Sequence, residues 1–336
     1  MKVIYSDDHR LHVPYYESGD RAGGSHPEVP ERANIIVQTL GEHGRYSITP
    51  PVPHDLDRID RVHSPAYREF LERLCSELDP HEIFIPAGLT SNPDILKGDH
   101  LKEMCGYYAF GQDTPLCRGT YRAAIASVNA ALTGADALRA GDSAVYALCR
   151  PPGHHAEKEK LGGFCYFNNC VIAAEELVKE GKVLILDVDF HHGNGTQHLT
   201  YHRDDIVYIS IHGDPSFTYP SISGWEEEKG EGKGLNCNIN HPLPPGTDGN
   251  TYLEIVDRVA EEILACKPVF MVISIGFDTY RDDPISHFRL EKEDIHLTAK
   301  KLAALKIPTL IVQEGGYCLQ ELGNLAIAFL SPFTRF

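Results

Sequence analysis

Short β-branched runs alternate with amphipathic stretches along almost the whole chain, and this alternation constrains the fold more than any other feature. A strand followed by a helical crossover and another strand sets successive strands parallel. The pattern therefore predicts βαβ units around a largely parallel sheet, an α/β protein. Strands are expected at residues 2–6, 144–149, 183–189, 206–211, 269–276 and 309–313. Helical periodicity covers residues 31–42, 67–78, 121–139, 169–179, 252–265, 292–305 and 319–330. Residues 79–119 stand apart, because Pro80, Pro86, Pro93 and Pro115 break any period and mark a long excursion from the core. The expectation is a single domain over residues 1–336 with a loop insertion at about 79–119.

Polar clusters sit just after the apolar runs. Cys149-Arg150-Pro151-Pro152-Gly153-His154-His155 follows one predicted strand and Asp187-Val188-Asp189-Phe190-His191-His192-Gly193 ends the next. His212-Gly213-Asp214-Pro215, Asp278 and Gly315-Gly316-Tyr317 close three more. In open α/β sheets the ligand site lies outside the carboxyl ends of the strands, so five such clusters on one edge point to one site. Side chains two apart on a strand share a face, which turns Asp187, Asp189 and His191 one way and Val188 and Phe190 into the layer behind. A solvated strand end is the competing reading of that D-x-D-x-H alone. Asp278 closes the apolar run MVISIGF with no neighbouring base, and a buried carboxylate is costly unless paired or bound to metal. Asp189, His191 and Asp278 together offer three N/O ligands and leave an open position for water. His154 and His155, held after Pro-Pro-Gly, can supply a general base and a second proton carrier, the alternative being two surface histidines in a loop; Tyr317, after two glycines, can donate to an oxyanion, the alternative being packing. Metal, water, base and oxyanion donor together indicate hydrolysis of an amide or ester.

Composition narrows the partners. With 31 Lys and Arg against 48 Asp and Glu, the net charge of −17 repels phosphate backbones and anionic lipid and draws in small cations. Nucleic acid and membrane are therefore not expected as partners, although an acidic surface also serves solubility. Nine scattered Cys without a CxxC pair argue against a disulfide framework and for a reducing cytoplasm. The opening residues MKVIYSDDHR are too briefly apolar for a signal peptide, and no apolar run approaches the roughly 18 residues of a membrane span.

The strings RPPGHH, GGFCYFNN, LDVDFHHGNGTQ, HGDP, GFDTYRDDPI and EGGY, in this order, resemble the zinc-dependent histone deacetylases and, more closely, bacterial acetylpolyamine amidohydrolases. The resemblance runs from Val3 to about Leu330 and implies the arginase-deacetylase fold, with about eight parallel strands flanked by helices. It implies one Zn2+ per chain, with Fe2+ or Co2+ as alternatives, on Asp189, His191 and Asp278. His155 is then the general base, His154 its electrostatic partner and Tyr317 the group that polarises the acetyl carbonyl. Asp187 orients His154 and, with Ser210 and backbone carbonyls, holds a structural K+; Asn194 stands behind His155, where many relatives carry Asp. Gly163, Phe164 and Tyr219 match tunnel walls, the alternative for the aromatics being core packing. Arginases of this fold hold two manganese ions, but Gly193 and Tyr280 occupy two positions where they place carboxylates. Glu17 and Asp113 match acidic positions for distal ammonium groups, Lys102 replaces a third, and Ile285 stands at the position of a gatekeeper. The implied protein is a cytoplasmic homodimer, its excursion at the interface, that deacetylates acetylated polyamines or related acylalkylamines. A protein acetyl-lysine deacetylase and a catalytically silent metal-binding sensor are the alternatives.

Overall fold

A computed structural model describes residues 1–13 and 26–335. Eight strands, all paired in parallel, form one sheet: β1 (Lys2–Ile4), β2 (Ser47–Thr49), β3 (Ala144–Ala147), β4 (Val183–Asp187), β5 (Ile206–Gly213), β6 (Asn238–Leu243), β7 (Phe270–Ile275) and β8 (Thr309–Gln313). Their order across the sheet is β2-β1-β3-β8-β7-β4-β5-β6. The helices are α1 (Glu31–His43), α2 (Asp57–Asp60), α3 (Pro65–Glu77), α4 (Leu101–Met104), α5 (Thr120–Arg139), α6 (Asn169–Leu177), α7 (Asn194–Thr200), α8 (Gly249–Cys266), α9 (Lys292–Ala303) and α10 (Leu319–Leu330).

The period of two sorts each central strand between two cores. Val183 and Ile185 of β4 join the layer of α3, α5 and α6, whereas Leu184 and Leu186 join α1, α8, α9 and α10 on the other face. Each fully buried Leu, Ile or Val contributes about 1.5–3 kcal/mol by leaving water, which is why the six central strands carry almost no polar residue before their ends. Helix starts are set locally: Ser64 accepts from the Tyr67 N–H ahead of α3, with Pro65 at its first position, and Asp248 accepts from Thr251 ahead of α8.

Two strands lie outside the sequence expectation. β2 is three partly exposed residues at one edge, and β6 carries Asn238, Asn240 and Pro242 at the other. Edge strands need little apolar alternation, so neither shows a strand pattern. The excursion also differs in part: its first half is exposed, but Leu101, Met104, Cys105, Tyr108, Ala109 and Leu116 return into the core. All nine cysteines are free. Among the described residues no helix is long and apolar enough to cross a membrane.

The strand order collects the site. β3, β8, β7, β4 and β5 are consecutive in the sheet, so five polar clusters spread from Cys149 to Tyr317 in sequence become neighbours on one edge.

Candidate active site

β4 ends at Asp187, and the chain beyond it turns on its own carboxylates. The Asp189 N–H donates to Asp187 Oδ1 at 3.2 Å and the His191 N–H donates to Asp189 Oδ1 at 2.8 Å. Val188 and Phe190 enter the core behind, as the alternation predicts. Across the β4–β7 pair, Asp278 follows β7 and accepts from the Phe190 N–H at 3.0 Å. His191 Nδ1 lies 3.3 Å from Asp189 Oδ1 and 3.1 Å from Asp278 Oδ2. The three donor atoms of Asp189, His191 and Asp278 lie within 4.8 Å of one another, a geometry that could hold a metal ion. Glycine makes this convergence possible: a Cβ on Gly315 would meet Asp278 Oδ2 at 2.4 Å, and one on Gly276 would meet Asp189 Oδ2 at 2.0 Å. Burial and the facing Asp189 charge push Asp278 up to about 7. Burial opposes it, but hydrogen bonds to Asp189 and Asp278 carry His191 up to about 9. Two buried carboxylates with only an imidazole between them are short of positive charge, which suits an oxygen- and nitrogen-ligated cation.

The adjacent histidines occupy opposite electrostatic environments. His154 Nδ1 faces Asp187 Oδ2 at 3.1 Å, and the charges of Asp189 and Asp187 outweigh burial to hold His154 at about 10. Tyr208 donates to the same Asp187 oxygen at 3.1 Å. His155 Nδ1 faces a neutral amide, Asn194 Oδ1, at 2.7 Å, and burial with the positive charges of His154 and His191 drives its pKa well below the ordinary value. The two rings are thus biased in opposite directions, His154 towards the imidazolium and His155 towards the neutral imidazole. Beneath them Glu314, with no exposed surface, accepts from the N–H groups of Gly153 at 2.6 Å and His154 at 3.1 Å, tying the end of β8 to the loop after β3. Burial lifts Glu314 to about 7.

Tyr317 is set from two sides. Its N–H donates to Asp283 Oδ2 at 2.6 Å, and the guanidinium of Arg32 lies over its ring. Arg32 is fixed by Gly316 O at 2.6 Å and Glu28 Oε1 at 3.0 Å, and Glu28 also binds Arg150 at 2.7 Å. Burial keeps the phenol protonated and able to donate. Glu28, Arg32, Asp283 and Glu314 escape a reading of the sequence because each acts on residues far along the chain. Asp283 and Glu314 stand within the strings GFDTYRDDPI and EGGY without any mark of what they support, and Glu28 and Arg32, opposite charges four apart around the start of α1, read as a solvated pair.

These groups open into a cavity of about 160 Å³ lined by Asp113, Pro152, His154, His155, Gly163, Phe164, His191, Tyr219, Ile285, Gly315 and Tyr317. Phe164 stands edge-on to Tyr317 with ring centroids 6.0 Å apart, and Tyr219 edge-on to His155 at 5.0 Å. Gly163 has φ +55°, and a Cβ there would lie 2.2 Å from His155 Cδ2, so only glycine leaves room for the imidazole. Asp113 Oδ1 accepts from the Gly163 N–H at 3.2 Å, placing a carboxylate at the rim. Ser210 pairs with Asp187 across β4 and β5, and its hydroxyl meets His212 Nδ1 at 2.7 Å. Lys102 pairs with Glu82 on the excursion, outside the cavity lining. Glu17 lies outside the described residues.

Residues 26–332 match the histone deacetylase domain. Acetylpolyamine amidohydrolase 2 of Pseudomonas aeruginosa is 38% identical over 342 residues, covering 99% of this chain and 98% of its own. Acetylpolyamine amidohydrolase of Mycoplana ramosa is 37% identical over 329 residues, covering 96% of each. The crystal structure of acetylpolyamine aminohydrolase from Burkholderia pseudomallei superposes with a TM-score of 0.89 at 36% identity, spanning 100% of this chain and 99% of that one. The sheet, the edge on which its polar clusters meet and these matches over nearly the full length place the chain in the histone deacetylase family.

Proposed function

We propose that this protein is an amidohydrolase that removes the acetyl group from small acetylated polyamines or related acylalkylamines. The observation that carries the reading is the single cavity in which His191 with its neighbours Asp189 and Asp278, the adjacent histidines His154 and His155, and Tyr317 converge below the rim carboxylate of Asp113. The relatives' names supply the substrate class.

Asp189, His191 and Asp278 suit a zinc ion, with iron or cobalt as alternatives, because two carboxylates and one imidazole match the donors of catalytic zinc sites and leave a position open. Such an ion supplies Lewis acidity to water and to the acyl carbonyl. One ion is favoured over two, since a Cβ at Gly193 would already meet Asp187 Oδ2 at 2.4 Å and leaves no room for the extra carboxylate. Asp187 and Ser210, paired across two strands, are the side chains for the structural potassium ion.

In this reading uncharged His155 takes a proton from the attacking water as the water oxygen adds to the acyl carbon. Tyr317 donates a hydrogen bond to the carbonyl oxygen as negative charge develops. The C–N bond then breaks, the proton on His155 passes to the departing nitrogen, and the second proton of the water follows it, giving acetate and the amine as its ammonium. Protonated His154, held by Asp187, stabilises the negative charge of the intermediate. Phe164 and Tyr219 line the aliphatic chain, Ile285 borders the entrance, and Asp113, with Glu17, attracts the distal ammonium group.

We read the protein as a cytoplasmic homodimer whose interface includes the excursion. Its exposed first half, with Leu89 at 46% exposure, supports this, and light scattering that gives 37.3 kDa for the active species would exclude it. The test of substrate is direct. Acetylputrescine, acetylcadaverine and acetylspermidine should be cleaved better than acetyl-lysine in a peptide, and Asp113→Asn should raise KM for a cationic substrate more than for a neutral acetamide of equal length. A better peptide substrate would replace the polyamine assignment with a protein deacetylase.

A further inference from the structure

The support behind His155 does not end at Asn194. Asn194 Nδ2 donates to Glu157 Oε1 at 2.9 Å and more weakly to His155 O at 3.5 Å, while Asn194 Oδ1 meets His155 Nδ1 at 2.7 Å. Glu157 is half-buried and stands, with Asn194, in the wall of a second cavity of about 630 Å³. The linings of the two cavities share no residue, and Asn194 links them by reaching His155 of the first from the wall of the second.

An asparagine side chain can present either end to its neighbours, and the two orientations have opposite consequences. With Oδ1 toward His155, the imidazole must carry its proton on Nδ1, which leaves the Nε2 lone pair free to act as a base. With Nδ2 toward His155, Nδ1 would have to accept, the proton would move to Nε2, and the ring could not take a proton from water. A carboxylate offers only acceptors, so Glu157 admits the amide's NH2 end and repels its oxygen. An Asp in place of Asn194 would need no such selection, since both of its oxygens accept.

We propose that Glu157 is a positioning residue that selects the orientation of Asn194 and thereby the base-competent tautomer of His155; this rests on the assignment of His155 as general base. Glu157 contacts no reacting atom, so its effect falls on kcat and leaves KM unchanged.

The test compares Glu157→Ala, Glu157→Gln and Asn194→Asp, with the double variant Glu157→Ala/Asn194→Asp, each checked for metal content and melting temperature. Glu157→Ala should lower kcat on the order of 10-fold with KM unchanged, the weight of one lost charge-assisted hydrogen bond. Glu157→Gln, which keeps an acceptor, should recover kcat to within roughly 3-fold of the parent. In the Asn194→Asp background, removal of Glu157 should cost no activity, because no amide is left to orient and a like charge is removed. Equal losses from Glu157→Ala in both backgrounds, or no loss in either, would overturn the proposal. His155→Ala separates it from the reading on which it rests: an active His155→Ala removes the general base itself, whereas an inactive one beside a fully active Glu157→Ala removes only the role of Glu157.

Discussion

The guanidinium carbon of Arg32 lies 4.6 Å from the centroid of the Tyr317 ring. This contact joins the catalytic edge to a buried charge network beneath it, because the same guanidinium donates to Gly316 O at 2.6 Å and Glu314 O at 2.5 Å. Arg32 therefore holds the backbone on which Tyr317 is mounted and stacks on its ring. In Arg32→Met the hydrocarbon stem is kept but the fork is lost, which takes the guanidinium from Gly316 O, leaves Glu314 O with the longer bond from Gln313 Nε2 at 3.3 Å, and removes one of the cations facing Glu28. The expected loss of stability is on the order of 3 kcal/mol, read from denaturant unfolding, with kcat lowered as the Tyr317 loop loosens.

Tyr317→Phe and His155→Ala should each reduce kcat on the order of 10²-fold or more while retaining metal, since the proposed roles are confined to the transition state. Steady-state kinetics beside elemental analysis checks both. Near-parent turnover in either variant removes that residue from the mechanism.

Elemental analysis should find one transition-metal ion per chain at the proposed site, and a chelator should lower both activity and melting temperature, because an ion that binds only the folded state adds to its stability. Gly193→Asp should not add a second ion. Its side chain would run into Asp187 Oδ2 and Tyr208 Oη, where even a Cβ comes within 2.4 and 2.7 Å, so destabilisation is the expected result.

Acid should weaken the fold through buried histidines. His63, 1% exposed, faces Glu157 O at 2.9 Å through Nδ1 and accepts from the Asn168 N–H at 2.9 Å through Nε2, so a second proton would set N–H against N–H. Burial lowers its pKa from 6.5 to about 4. A histidine depressed in the folded state leaves stability at its full value above the unfolded pKa and removes it as pH falls from near 6.5 towards 4. The loss for His63 is on the order of 3 kcal/mol, and His9 and His12 act in the same direction. The slope of unfolding free energy against pH in this window should be shallower in His63→Phe than in the parent.

The central sheet was legible in the sequence because strands buried on both faces must be continuous apolar runs, and the site was legible as a place because polar residues end those runs. β2 and β6 were not legible: β2 is three partly exposed residues, and β6 buries polar Asn238 and Asn240, which donate to Gln197 and to backbone carbonyls and so break the apolar run. Strand alternation gave the shared direction of Asp189 and His191 and that of Val188 and Phe190, and the cost of burying an unpaired carboxylate added Asp278, whose ligand atom does lie with theirs. Glu28, Arg32, Asp283 and Glu314 could not, because their partners are brought to them only by the strand order, and a charged side chain carries no mark of burial. Glu157 illustrates the same limit two residues from His155: its neighbour in space is Asn194, on the helix after the next strand.

The order of the sheet has a consequence for biosynthesis. β8, made last of the strands, does not lie at an edge but between β3 and β7. A chain emerging from the ribosome can assemble two blocks, β2-β1-β3 and β7-β4-β5-β6, but their facing edges stay unpaired until residues after 308 arrive. Those residues also bring Glu314, Gly315 and Tyr317, so the seam that completes the sheet completes the site in the same event. A chain shortened ahead of β8 would therefore be aggregation-prone and inert together, and hydrolytic activity in a lysate reports that synthesis has passed Tyr317.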